Sequence, residues 1–90
     1  MGKVLVLVRL LPEDVEIDPE TLLKKVKENL PEIYEVLRHQ AEPIAFGLQA
    51  LRMIIAMPEE YVGGTNELEE LLAKIEGVGQ VDVLNVSRAF

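Results

Sequence analysis

Few side chains in this chain could do covalent chemistry, and those that stand out are suited to recognition instead. There is no cysteine and a single histidine, His39, so thiol nucleophiles, thiolate metal sites and disulfides are excluded and His39 has no His or Cys partner for a metal. The segment Glu42-Pro43-Ile44-Ala45-Phe46-Gly47-Leu48 sets a phenylalanine beside a glycine where two strand-like runs meet. Aromatics are scarce here, with two Phe and two Tyr among ninety residues. The other Phe is the last residue, Phe90, two positions after Arg88. A ring on a loop can fill an apolar pocket, and a guanidinium can meet carboxylates or phosphates. The mid-chain loop and the C-terminal end are therefore expected to form one contact surface. Spacing alone leaves a plainer reading open for each: Phe46 fits a core residue at a strand start, since aromatics are mostly buried, and Arg88 fits a solvated terminal charge.

The elements that must position these residues follow from periodicity. Lys3 to Leu11 alternates Val4, Val6, Val8 and Leu10 with Leu5, Leu7, Arg9 and Leu11, a central strand apolar on both faces. Pro12-Glu13-Asp14 makes a turn, and Asp18 caps a helix that has Pro19 at its first position. Leu22, Leu23, Val26 and Leu30 recur at helical spacing until Pro31 stops the run. From Ile33 to about Ile44 the alternation is looser, with Tyr34, Val36 and Arg38 on one parity, as in an edge strand; Pro43 supports that placement. Leu48 to Met57 is a third strand with Leu51, Met53, Ile55 and Met57 as its apolar stripe. Pro58 to Gly64 reads as a loop. Thr65 or Asn66 caps a second helix, Asn66 and Glu69 having capping-box spacing, and Leu68, Leu71, Leu72 and Ile75 are its buried stripe. Gly77 and Gly79 bracket its end, and Val81 to Val86 is the last strand.

Strand, helix, strand, strand, helix, strand in ninety residues is the order of a split βαβ repeat. The expected fold is α+β and ferredoxin-like: a four-stranded antiparallel sheet, strand order 4-1-3-2, with two helices on one face. Residues 1–90 make a single domain, able to bury roughly 60 to 65% of its unfolded surface. At 49% hydrophobic and 28% charged, the composition is that of a soluble globular protein, and no apolar run approaches the ~20 residues of a membrane helix. Arg9 interrupts the N-terminal apolar run, which reads as a strand and not a signal peptide; a cytoplasmic protein is expected.

A net charge of −7 argues against nucleic acid as a direct partner, because phosphate binding draws on clustered Lys and Arg. Only Lys24, Lys25 and Lys27 lie close together. An acidic chain is attracted to a basic protein surface instead. Gly63-Gly64-Thr65 before a helix suggests anion binding, yet it lacks a lysine and is followed by Glu67, Glu69 and Glu70, so it reads as loop and cap. Those glutamates form either a solvated helix face or a docking surface for basic residues. His39 reads as a half-exposed edge-strand residue, and Met53 and Met57 as core filling.

The Glu42 to Leu48 run followed by a strand, Gly63-Gly64-Thr65 opening an acidic helix, and then Ile75-Glu76-Gly77-Val78 and Val81-Asp82-Val83 together resemble the archaeal elongation factor 1-beta family over essentially the whole chain. The resemblance implies a guanine-nucleotide exchange factor for elongation factor 1-alpha, the GTPase that delivers aminoacyl-tRNA, with GDP and magnesium bound to that partner. It implies no active site in this chain; no cofactor of its own, no direct nucleic-acid or membrane contact, and a monomer are expected. In eukaryotic relatives an aromatic between glycines enters an apolar pocket of the GTPase. Phe46-Gly47 matches that position, with Ala45 replacing the first glycine. A lysine near the end of those relatives reaches the magnesium and phosphate region; Arg88 matches it, keeping the charge and changing the residue type.

Two other classes compete on the same fold. An acylphosphatase-like enzyme needs an anion-cradling loop after the first strand, where Leu11-Pro12-Glu13-Asp14 is acidic and unsuited. A self-associating regulatory domain would pair through Leu5, Leu7 and Leu11 on the open side of the sheet.

Overall fold

The computed structural model describes residues 2–59 and 64–89. Its elements are β1 (Lys3–Pro12), α1 (Pro19–Asn29), β2 (Glu35–Pro43), a 3-10 turn (Ala45–Gly47), β3 (Gln49–Pro58), α2 (Gly64–Ala73) and β4 (Val78–Ala89). They make a four-stranded sheet of order β2-β3-β1-β4 in which every pairing is antiparallel. This is the expected ferredoxin-like α+β order, counted from the opposite edge.

The period of two along β1 and β3 decides the layering. Val6, Val8 and Leu10 of β1 share one face with Leu51, Met53 and Ile55 of β3, all within 1% of complete burial. Leu22 and Val26 of α1 and Leu68 and Leu72 of α2 close over that face in one cluster. Both helices thus lie on the same side, and Met53 and Met57 are core residues as expected. The opposite face is open. There Leu5, Leu7 and Leu11 are half-buried, and ion pairs run between the leucines: Arg9 donates to Asp82 at 3.2 Å, while Glu42 lies 3.9 Å from Arg9 and 3.5 Å from Arg52. The amide of Gln80, 2.9 Å from Asp82, and then Arg9 hold the Asp82 carboxyl below the usual carboxylate range.

At α1, Asp18 accepts from the Thr21 N–H at 2.7 Å, so the expected cap is present. Thr21, through that N–H and its side chain, holds the Asp18 carboxyl below its ordinary value. The Leu30 N–H closes the helix on Val26 O at 3.0 Å before Pro31.

Several boundaries differ from the sequence expectation. α2 begins at Gly64, which makes Thr65 and Asn66 first-turn residues and not caps. Glu67 in that turn is favoured by the positive helix end. Of the loop expected from Pro58 to Gly64, Pro58 ends β3 and Gly64 opens α2, while 60–63 lie outside the described residues. β4 begins at Val78, earlier than Val81, and Gly79 belongs to it. Gly79 is the extra residue where Gln80 pairs Leu11 but Val78 pairs Pro12. A Cβ there would come within 3.2 Å of Pro12 O, a close approach that glycine permits. Tyr34 precedes β2, its N–H donating to Pro31 O at 3.1 Å. A register shift between Val36 and Arg38 then separates two residues expected on one face: Val36 pairs with Ile55 on the core side, Arg38 with Ile54 on the open side.

Candidate functional site

The link between β2 and β3 is a closed turn. The Ile44 N–H donates to Leu48 O at 2.9 Å, and the Leu48 N–H returns to Ala45 O at 3.3 Å. Turning the chain inside that span takes two successive residues with positive φ, Phe46 at 64° and Gly47 at 78°. Gly47 adopts this backbone without a Cβ clash. For a bulky residue the left-handed region costs about 1 to 2 kcal/mol. Phe46 gains nothing from the core in return, because it is 92% exposed. The spacing-based expectation of a core residue at this position is therefore corrected: the turn holds the ring out in solvent. Ala45 has no positive φ, so alanine in place of glycine carries no backbone strain there.

Arg88 lies on β4 opposite Val4. Its guanidinium pairs with the Glu59 carboxylate just past β3, a partner 29 positions away in sequence. The Glu59 backbone is itself tied down, its N–H donating to Gly2 O at 3.1 Å. The Arg88 side chain is 74% exposed, and an ion pair of that kind contributes about 0 to 1 kcal/mol, so the cation is readily released.

These two features do not form one contiguous patch. The Phe46 turn adjoins the pair Pro43 and Gln49, while Arg88 faces Val4, which faces Met57. Gln49 to Met57 is eight steps of β3, about 26 Å at strand spacing. The expectation of a single joined surface is corrected: the two features lie at opposite ends of a long sheet, in a molecule that measures 42 × 19 × 18 Å along its principal axes. Phe90 lies outside the described residues. Sequence reading missed Glu59, because its position beside Arg88 depends on the pairing of β1 with both β3 and β4.

His39 is exposed on β2. Among the described residues no group of three or more His, Cys, Asp or Glu side chains could hold a metal. No described helix is long and apolar enough to cross a membrane.

An exposed ring on a strained turn and an exposed cation at the far end suit a partner surface. Residues 5–89 match the EF-1 guanine nucleotide exchange domain. The chain belongs to the elongation factor 1-beta family. An elongation factor 1-beta of Thermofilum pendens is 61% identical over 88 residues, covering 98% of this chain and 97% of that protein. Those of Aeropyrum pernix and Staphylothermus marinus are 56% and 54% identical over 88 residues, covering 98% of each chain compared. The archaeal elongation factor 1-beta resemblance drawn from the loop, the acidic helix and the C-terminal strand is borne out along nearly the full length.

Proposed function

We propose that this chain is a guanine-nucleotide exchange factor that promotes GDP release from elongation factor 1-alpha during translation elongation. Ala45, Phe46 and Gly47 form one contact and Arg88 the other. It acts by binding, with no covalent step and no cofactor of its own; GDP and magnesium belong to the partner. The observation that carries this reading is the Phe46 ring, 92% exposed on a left-handed turn whose closure needs the backbone but not the ring.

Bound GDP is held by magnesium and by backbone N–H groups around its phosphates. A thousandfold faster release needs about 4 kcal/mol of barrier lowering. Burying a phenylalanine ring supplies about 1.5 to 3 kcal/mol, which falls short, so a second lever is required. Arg88 is that lever. Once it leaves Glu59, its planar fork can engage phosphate oxygens or a carboxylate that holds the partner's magnesium. With the two levers about 26 Å apart, the factor grips the GTPase at two separated points and can change their relative positions. Coupling is reciprocal: nucleotide weakens binding of the factor as much as the factor weakens binding of nucleotide, so incoming GTP expels it. The factor acts as a single domain and a monomer, a reading supported by the ion pairs of Arg9, Arg52, Glu42 and Asp82 that interrupt the open apolar face.

The test is release of a fluorescent GDP from elongation factor 1-alpha with this chain at substoichiometric concentration. Acceleration with turnover supports the proposal; unchanged release from a competent GTPase, with the chain folded, overturns it.

A further inference from the structure

We infer that the Phe46 site is a two-part apolar tip, in which Val15 of the β1 to α1 turn enters the partner surface with the ring, and that Glu13, Asp14 and Glu16 fit it to a pocket with a basic rim. The inference rests on the exchange reading and deepens it. Val15 is 59% exposed. Its neighbours already satisfy the core: Pro12 is buried and Ile17 packs against the hydrophobic cluster. Nothing in the fold requires an apolar side chain at position 15.

Geometry joins this valine to the site. A Cβ built on Gly47 would lie 3.9 Å from Val15 Cγ1, an ordinary van der Waals separation. The valine therefore sits against the glycine that follows Phe46. The turn that carries it is fixed by three hydrogen bonds donated by backbone N–H groups. The Glu13 N–H donates to Gly77 O at 2.9 Å, the Glu16 N–H to Asp14 Oδ1 at 2.7 Å, and the Ile17 N–H to Asp14 O at 3.4 Å. Val15 and Phe46 are thus presented together on two anchored turns at one end of the sheet.

The charged residues beside Val15 in sequence have one sign, and the cation the structure brings near them, Lys25 of α1, is engaged by the carbonyl of Glu76, one residue before the Gly77 carbonyl that the Glu13 N–H meets. Glu13, Asp14 and Glu16 flank Val15, and no Lys or Arg occurs between Arg9 and Lys24. None of these three carboxylates forms an ion pair among the described residues. An apolar centre with a charged margin is the anatomy of a protein interface, and a predominantly acidic margin complements Lys and Arg. The occupant is accordingly an apolar pocket of the GTPase edged by basic side chains. A second copy of this chain is disfavoured, because two acidic tips repel.

The experiment measures Kd for nucleotide-free elongation factor 1-alpha by titration calorimetry, beside GDP release with the same proteins. Val15→Ser is expected to raise Kd about tenfold and to leave thermal unfolding unchanged, while Val15→Ile retains wild-type affinity. Combined with Phe46→Ala, the effect should be smaller than the product of the single effects, as for neighbours in one pocket. Glu13→Lys with Glu16→Lys should raise Kd more at low salt than at high salt, and more than the charge-matched Glu28→Lys with Glu32→Lys, exposed at the end of α1 and just beyond it. Wild-type Kd for Val15→Ser, or equal effects of all the charge reversals, overturns the tip. A wild type that binds without accelerating release overturns the exchange reading alone, and the same Kd comparison still decides the tip.

Discussion

Replacing Phe46 by alanine separates a folding role from a binding role, because the structure assigns the ring almost entirely to solvent. At 92% exposure its loss removes no core contact, and alanine must adopt the same left-handed backbone. Stability should stay within about 0.5 kcal/mol, a shift in melting temperature of about 2 to 4 °C for a chain this size. In the complex the missing ring forfeits about 1.5 to 3 kcal/mol of apolar transfer, so affinity for the nucleotide-free GTPase should fall about 10- to 150-fold. If all of that energy is expressed in nucleotide release, a thousandfold acceleration drops to about 6- to 80-fold. Phe46→Leu, which keeps an apolar side chain, should fall between alanine and wild type. The assays are circular dichroism melting and stopped-flow release of fluorescent GDP, both on the full chain. Unfolding of Phe46→Ala would return the ring to a folding role, and an unchanged release rate in a correctly folded variant would remove it from the partner contact.

Other outcomes follow from the same geometry. Arg88→Ala should lower the exchange rate more than the affinity, whereas Glu59→Gln, by freeing Arg88 from its ion pair, should leave folding intact and raise exchange modestly; both are read by stopped-flow release. Gly77→Ala should destabilise the fold by about 1 to 3 kcal/mol in urea titration, because φ is +97° and the new Cβ would meet Ile17 Cδ1 at 3.4 Å. The Asp18 and Asp82 carboxyls titrate below their ordinary range in the folded chain. Their stabilising effect is therefore fully present above about pH 3.9, the unfolded aspartate value, and is lost as pH falls through the depressed folded values. Acid unfolding followed by circular dichroism should begin below that pH, and the Asp18→Asn with Asp82→Asn double variant, less stable at neutral pH, should lose less further stability on acidification than the wild type; an unchanged pH dependence in that variant would contradict the assignment.

Much of the fold was legible because its signals are local. The double-sided apolar run from Val4 to Leu10, the Asp18-Pro19 helix start and the stripe from Leu51 to Met57 each follow from one residue period or one cap. Where the reading failed, the determinant lay elsewhere in the chain. Gly79 resembles a helix terminator until its approach to Pro12 O is known, and the break after Val36 depends on how β2 meets β3. The candidate site divides in the same way. A phenylalanine beside a glycine is visible in the chain, but its outward ring follows from a positive φ that Ala45-Phe46-Gly47 does not announce. Glu59 and Val15 reach the site only through pairing and turn contacts distant in sequence.

The central claim, that binding of this chain and binding of nucleotide oppose one another on the GTPase, is tested most directly by two affinities. The Kd of this chain is measured for nucleotide-free and for GDP-bound elongation factor 1-alpha by titration calorimetry. Binding to the GDP-bound form is expected to be weaker, by the same factor by which this chain raises the Kd for GDP. Equal affinity for the two forms would contradict it, since a ligand that binds both states alike shifts neither.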